Sequence, residues 1–209
     1  SILMAKIRLH IDPIGIGEKA DEREGGRISR RVLKKDSIEE VTVAQLAQKL
    51  RTGHTVCPAI LDASKAADWQ EQQVFMVDID NADQGHPQLS QEQALRICDD
   101  YELSPVISYQ TFSHSDKCPK FRLVFITDDV INDPDIRCAI VERLVSIFPQ
   151  SDRACTNANR LFLGTNKEVV LHSKNARISV ENILAIPCRE QPKSENTKKN
   201  IISLELRRN

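Results

Sequence analysis

No apolar run in this chain approaches the ~20 residues that a membrane-crossing helix needs, which excludes a protein built on such helices. The N-terminus also lacks the basic-then-apolar layout of a secretion signal, so the sequence predicts a cytoplasmic protein. The six cysteines, Cys57, Cys98, Cys118, Cys138, Cys155 and Cys188, contain no Cys-x-x-Cys pair. No Cys/His spacing resembles a zinc knuckle. These thiols are expected to be small, mostly buried side chains in a reducing compartment. Neither sign of charge is in excess: 29 Lys and Arg face 30 Asp and Glu, for a formal net charge of −1. A globally basic nucleic-acid binder is excluded, and only local patches remain open. Internal repeats and low-complexity blocks are also missing. What is left is 209 residues of ordinary composition, 40% hydrophobic and 28% charged. That suits one domain with a sizeable core, or one domain and a tail.

Alternation predicts a strand over 5–11. Gly15, Gly17, Gly25 and Gly26, with charges between them, predict a long mobile loop. Arg27, Arg30, Arg31, Lys34 and Lys35 crowd together after it, either as a solvated helix face or as a phosphate-contacting arm. Thr42 caps a predicted helix with Leu46, Ala47 and Leu50 inward, stopped by Gly53. Strands are expected over 55–61 and 74–79. Ser90 and Gln93 form a capping-box pattern opening a helix to about Tyr101, with Ala94, Leu95, Ile97 and Cys98 inward. Strands follow over 106–112 and 121–126, joined by a turn around Asp116 and Pro119. Asp133-Pro134 opens a helix to about Phe148 that buries Ile136, Ile140, Leu144 and Ile147 or their near neighbours. Short strands are expected over 160–163 and 169–171, and Ser179 caps a last small helix. Interleaved helices and strands predict an α+β (α/β) fold around a mainly antiparallel sheet. From Arg189 the chain reads as a polar linker over 189–209, with Ile201, Ile202, Leu204 and Leu206 hinting at a further element. The abrupt end reads as that of a fragment of a longer protein.

The stretch Val74-Phe75-Met76-Val77-Asp78-Ile79-Asp80-Asn81 carries the strongest chemical signal. On a strand, Asp78 and Asp80 share one face, with Cα atoms roughly 6–7 Å apart. Two such carboxylates repel in a poorly solvated site unless a cation joins them, and hard divalent ions take anionic oxygens of this kind. Taken alone, the pair could equally end a strand at solvent. Thr111-Phe112-Ser113-His114 follows a predicted strand, and Lys120 and Arg122 alternate with Phe121 and Leu123 on the next. Two cations beside a histidine suit a polyphosphate, or else line an exposed sheet face. Asp152 precedes a strand and is either a third metal ligand or a turn aspartate. Arg160 can reach a phosphate or pair with an acid. Asp128, Asp129, Asp133 and Asp135 read as loop and capping residues.

In this order the segments resemble the archaeo-eukaryotic primase superfamily, particularly the primase-polymerases of phages, plasmids and other mobile elements. Val77-Asp78-Ile79-Asp80-Asn81 is similar to its Asp-x-Asp motif. Thr111-Phe112-Ser113-His114, with Pro119-Lys120-Phe121-Arg122-Leu123-Val124-Phe125, is similar to its Ser/His motif. Asp152, with Asn157 to Gly164 after it, is similar to its third. The resemblance spans about residues 40 to 185. Two positions depart from the pattern: Phe112 stands two before His114 where the family has Ser, and Ser151 precedes Asp152 where it has an apolar residue.

The resemblance implies a catalytic core of two modules over 1–188, an N-terminal α/β module at about 1–75 and an RRM-like module at about 74–188. It implies templated nucleotidyl transfer from (d)NTPs on a single-stranded DNA template and primer, in replication of a mobile element. Asp78, Asp80 and Asp152 would be catalytic and hold two Mg²⁺ or Mn²⁺ ions. Ser113, His114, Lys120, Arg122 and Arg160 would bind the nucleotide, and a helicase region or subunit would be a partner. Two other readings compete. Asp-x-Asp after a strand also resembles the aspartate-nucleophile phosphatases of the haloacid-dehalogenase type, but Ala82 stands where they usually have Thr or Val. The other is a catalytically inactive module that binds a replication origin or single-stranded DNA.

Overall fold

The computed structural model describes residues 5–82 and 85–188. The expected N-terminal strand is β1 (Ile7–Gly15), which continues past the residues whose alternation signals it. It is the middle of an antiparallel sheet in the order β2-β1-β3, with β2 at Ile38–Val41 and β3 at His54–Cys57. Between those strands runs α2 (Val43–Arg51). The Thr42 side chain accepts from the Gln45 backbone N–H, and the Gln45 side chain accepts from that of Thr42. Val43, Leu46, Ala47 and Leu50 are buried beneath it.

The predicted mobile loop is replaced in part by a helix. Gly25 and Gly26 lie inside α1 (Glu22–Val32). Mid-helix glycine costs about 1 kcal/mol relative to alanine, so local preference is overridden by tertiary contacts. Asp21 caps the helix, Ile28 and Val32 are buried, and Arg31 makes a two-pronged pair with the fully buried Asp12 of β1 at 2.9 and 2.8 Å. Arg31 is therefore a fastener rather than part of a solvated face. Arg27 pairs with Glu24 at 2.9 Å, while Arg30, Lys34 and Lys35 are exposed.

The larger sheet has the order β4-β5-β7-β6-β8 and is antiparallel throughout. Its strands are β4 (Ala59–Leu61), β5 (Trp69–Asp80), β6 (Ile107–Gln110), β7 (Lys120–Ile131) and β8 (Val169–Leu171). Helix α3 (Gln91–Asp100) links β5 to β6, and α4 (Pro134–Ser146) follows β7. After α4 the chain returns to β5, where Ser151 forms an antiparallel bridge with Ile79. Strand, helix, two strands, helix and a returning segment that bridges the first strand follow an RRM-like topology. The fold is α+β, as the sequence predicts. Side chains from both sheets share one core, in which Ile7, Leu9 and Ile11 join Phe75, Phe121 and Phe125.

Both capping predictions in this region hold. Ser90 and Gln93 form their reciprocal box, and Asp133 caps α4 with Pro134 in its first turn. Ser179 caps α5 (Val180–Leu184). Three expectations change. Residues 160–163 make only a bridge, Phe162 to Val56, because the segment crosses from one sheet to the other instead of lying along either. Leu95 and Ile97 are partly buried, while Ala94 and Cys98 take the inward face of α3. Of the thiols described, only Cys57 and Cys98 are buried; Cys118 and Cys188 are half-buried and Cys138 is exposed. The predicted linker over 189–209 lies outside the described residues. Among those described, no helix is long and apolar enough to cross a membrane.

His10 locks the small sheet to the large one and gives the fold a pH dependence. Its Nδ1 bonds Ser37 Oγ at 2.8 Å, and its Nε2 accepts from the Leu61 backbone N–H at 3.0 Å. That acceptor role requires a neutral ring. Burial pushes its pKa below the ordinary histidine value of 6.5, and burial moves His172 the same way. The unfolded chain then binds more protons between the folded pKa and 6.5, so stability falls as pH drops through that window and is level above it. The expected result is a lower urea midpoint at pH 5.5 than at pH 7.5; equal midpoints would contradict the assignment.

Candidate active site

Strand register brings the sequence-predicted acids and cations together in pairs. Asp78 lies directly across from Arg122, and Asp80 from Lys120, in the β5–β7 ladder. Alternation sends the neighbouring Val77, Ile79, Phe121 and Leu123 into the core, each at most 1% exposed. Arg122 Nε lies 3.2 Å from Asp78 Oδ1, and Lys120 Nζ lies 3.3 Å from Asp80 Oδ1. The first pair is nearly enclosed, whereas the second is open to solvent. Arg122 also donates through Nη1 to the Leu163 carbonyl at 2.8 Å and the Tyr109 hydroxyl at 3.3 Å. Its guanidinium lies 5.4 Å from the Phe162 ring centre and 5.7 Å from that of Tyr109. Burial acts to lower the Arg122 pKa, but the Tyr109 hydroxyl and Asp78 carboxylate outweigh it and the net shift is upward. Arg122 stays charged throughout the physiological range.

The third acid comes from the segment after α4. The Asp80 N–H donates to the Gln150 carbonyl at 3.0 Å, and the Asp152 N–H donates to the Asp78 carbonyl at 2.8 Å. Asp152 is thus stitched to β5 on the side away from β7. Its Oδ2 meets Arg160 Nη2 at 3.4 Å. Ser151, which departs from the resemblance, has a local reason. Its hydroxyl donates to the Phe148 and Val145 carbonyls at 2.7 and 3.2 Å, closing the end of α4 where the chain turns back.

The turn after β6 holds the predicted histidine. The Lys120 backbone N–H donates to His114 Nδ1 at 3.1 Å. The neutral ring therefore carries its proton on Nε2, which is left as a donor. Lys167 Nζ donates to the Phe112 and His114 carbonyls at 2.8 and 2.6 Å and fixes the turn. Ser113 is exposed on the same turn. Asn81, buried directly after Asp80, donates to the Leu89 and Pro119 carbonyls at 2.8 and 2.7 Å and accepts from the Leu89 N–H at 2.7 Å. One side chain so ties the end of β5 to the start of β7 and the approach to α3.

These groups surround a cleft of about 280 Å³ lined by Asp78, Asp80, Ser113, Lys120, Arg122 and Arg160, among others. Asp152 and His114 are not among its lining residues; Asp152 reaches it through its pair with Arg160, and His114 through its bond from the Lys120 N–H. Sequence reasoning missed Lys19, which lines the cleft from the β1–α1 connection, and it missed Tyr109, Leu163 and Lys167. Nothing in local sequence marks them, because Lys19, Tyr109 and Lys167 act through position alone and Leu163 acts through its carbonyl.

Three carboxylates supply oxygen donors suited to hard divalent cations. Each of the three meets a side-chain cation, and among the described residues no group of three or more His, Cys, Asp or Glu is spaced to hold a metal ion. The donor chemistry fits such ions; the side-chain pairing must open to admit them. The buried Arg160 Nε, which has no acceptor, marks the cleft as a seat for an anion.

No family model and no curated protein matches the chain. Among solved structures it is similar to the AEP domain (PP-N190) of the primase-polymerase (PrimPol) of cyanophage S-2L. The two are 11% identical over 88% of this chain and 89% of that one, with a TM-score of 0.46.

Proposed function

We propose that this chain is the catalytic domain of a DNA primase-polymerase, joining (d)NTPs to a primer on a single-stranded template during replication of a mobile element in the cytoplasm. The observation that carries the reading is the convergence of three acids from two separate segments beside a cationic cleft. Asp78 and Asp80 share a sheet face with Arg122 and Lys120, and Asp152 is hydrogen-bonded to the Asp78 backbone. The ordered motifs noted in the sequence support it independently.

In this reading Asp78, Asp80 and Asp152 would hold two Mg²⁺ or Mn²⁺ ions, whose charge lowers the barrier for a 3′-hydroxyl attacking an α-phosphate with loss of pyrophosphate. The chain's own residues bind and orient. Lys120 and Arg122 exchange their carboxylate partners for phosphate oxygens. Arg160 offers its free Nε–H, and Ser113 with the His114 Nε2–H adds neutral donors at the turn. Most of the rate gain is positioning and electrostatics, with no covalent enzyme intermediate. His114→Ala is expected to weaken nucleotide binding more than it slows the bound complex, seen as a raised KM with a smaller change in kcat.

One observation favours a second reading. Each of the three carboxylates meets a side-chain cation, as suits an inactive module that binds single-stranded DNA or an origin. Incubating the chain with primed template, all four dNTPs and Mn²⁺ separates the two. Primer extension is expected; normal DNA binding without extension would establish the inactive module instead. A helicase partner would then be sought by co-purification.

A further inference from the structure

Four cationic side chains and two acids line the cleft, and three of those cations already have acidic partners. Arg122 is held by Asp78, Lys120 by Asp80, and Arg160 by Asp152. Lys19 is the exception. It is exposed, and among the described residues its ammonium has neither an ion pair nor a hydrogen bond. An anion entering the cleft meets Lys19 without separating any existing pair. To use Lys120 or Arg122 it must first displace a carboxylate.

Lys19 is also placed with some precision. It belongs to the connection between β1 and α1, outside the strands that carry the acids. The Ile16 N–H donates to the Gly53 carbonyl at 3.0 Å, and Asn166 Nδ2 donates to the Gly17 carbonyl at 3.0 Å. Ile16 and Ala20, on either side of Lys19, pack against a small core cluster that also touches Leu161 and Leu163. Backbone bonds and apolar anchors thus hold the connection at the cleft edge while the Lys19 side chain stays available. A cavity of about 280 Å³ is near the lower end of small-ligand size, which favours a nucleotide's phosphate tail over a polynucleotide.

From this we infer that Lys19 captures the phosphate tail of a nucleoside triphosphate before any divalent ion binds, supplying from the β1–α1 connection a cation that, among the described residues, has no carboxylate partner to give up. The inference rests on the nucleotidyl-transfer reading of the same cleft.

The test is equilibrium binding of dATP to the whole chain in EDTA, by calorimetry, for wild type, Lys19→Ala, Lys19→Arg and, as a distant control, Lys174→Ala. A charge-assisted contact to phosphate predicts about a tenfold weaker Kd in Lys19→Ala. Lys19→Arg should restore most of the affinity, Lys174→Ala should match wild type, and deoxyadenosine without phosphates should bind all four alike. Thermal unfolding confirms that the variants are folded, as expected for an exposed side chain. Equal dATP affinity in wild type and Lys19→Ala overturns the inference, as does a wild type that binds no dATP without metal. A further arm uses labelled oligo(dT): if Lys19→Ala loses affinity for the strand but not for dATP, the residue is a DNA contact and the inference is wrong. Primer extension with Mn²⁺ is scored separately, so extension by a chain whose Lys19 proves irrelevant leaves the nucleotidyl-transfer reading standing.

Discussion

Asp80→Asn is expected to leave the chain folded and to reduce primer extension at least about 10³-fold. The two halves of this result come from one geometry. The Asp80 side chain is 39% exposed and its ion pair with Lys120 is open to solvent, a kind of pair worth about 0–1 kcal/mol. The substitution keeps the side chain's size and leaves one oxygen able to accept from the Ala82 N–H, as Asp80 Oδ1 does at 3.1 Å. The thermal midpoint should therefore move little. What disappears is a full negative charge at the end of β5, where the proposed function requires it most. Single-nucleotide incorporation with Mn²⁺, compared with wild type at equal concentration of folded protein, measures the loss. Wild-type synthesis by Asp80→Asn would remove the assignment of the acids. Asp78→Asn is a poorer test, because its pair with Arg122 is nearly enclosed and its loss would disturb the fold as well.

The second large effect is structural and lies away from the acids. Gly53→Ala is expected to destabilise the fold by roughly 2–4 kcal/mol, lowering the melting temperature by roughly 5–15 °C. Gly53 has φ +80°, a conformation that side chains rarely adopt, and a Cβ there would stand 1.8 Å from the Ile16 carbonyl oxygen. Backbone cannot move aside as a flexible side chain can. Gly164 packs on the same spot: a Cβ on it would stand 2.7 Å from the Gly53 carbonyl carbon. Three segments therefore meet at this joint with no room between them: the end of β1, the turn from α2 to β3, and the segment after Leu163. The joint carries Lys19 on one side and Leu163, the Arg122 acceptor, on the other. Gly53→Ala protein that remains folded should thus also bind dATP more weakly, whereas unchanged melting and binding would show that the joint can relax.

Much of the local structure was legible because it is written in neighbouring residues. Thr42, Ser90 with Gln93, and Asp133 with Pro134 each open a helix as the sequence predicts, since a capping side chain reaches only two or three residues ahead. Alternation in β5 and β7 placed Asp78 with Asp80, and Lys120 with Arg122, on one face of each strand for the same short-range reason. Where the expectation was wrong, distant contacts outweighed local preference. Gly25 and Gly26 are helical because Ile28 and Val32 bury and Arg31 reaches Asp12. Residues 160–163 do not extend as a strand because they bridge two sheets.

By itself the sequence determined which residues are acidic, cationic and paired by periodicity, because side-chain alternation and capping depend on a few adjacent dihedrals. Only the tertiary structure decided that Asp152 joins β5, that each of the three acids meets a particular cation, and that Lys19 lines the cleft with no ion pair among the described residues. Those facts depend on strand register and on backbone bonds between residues far apart in the chain, and no local pattern encodes such distances.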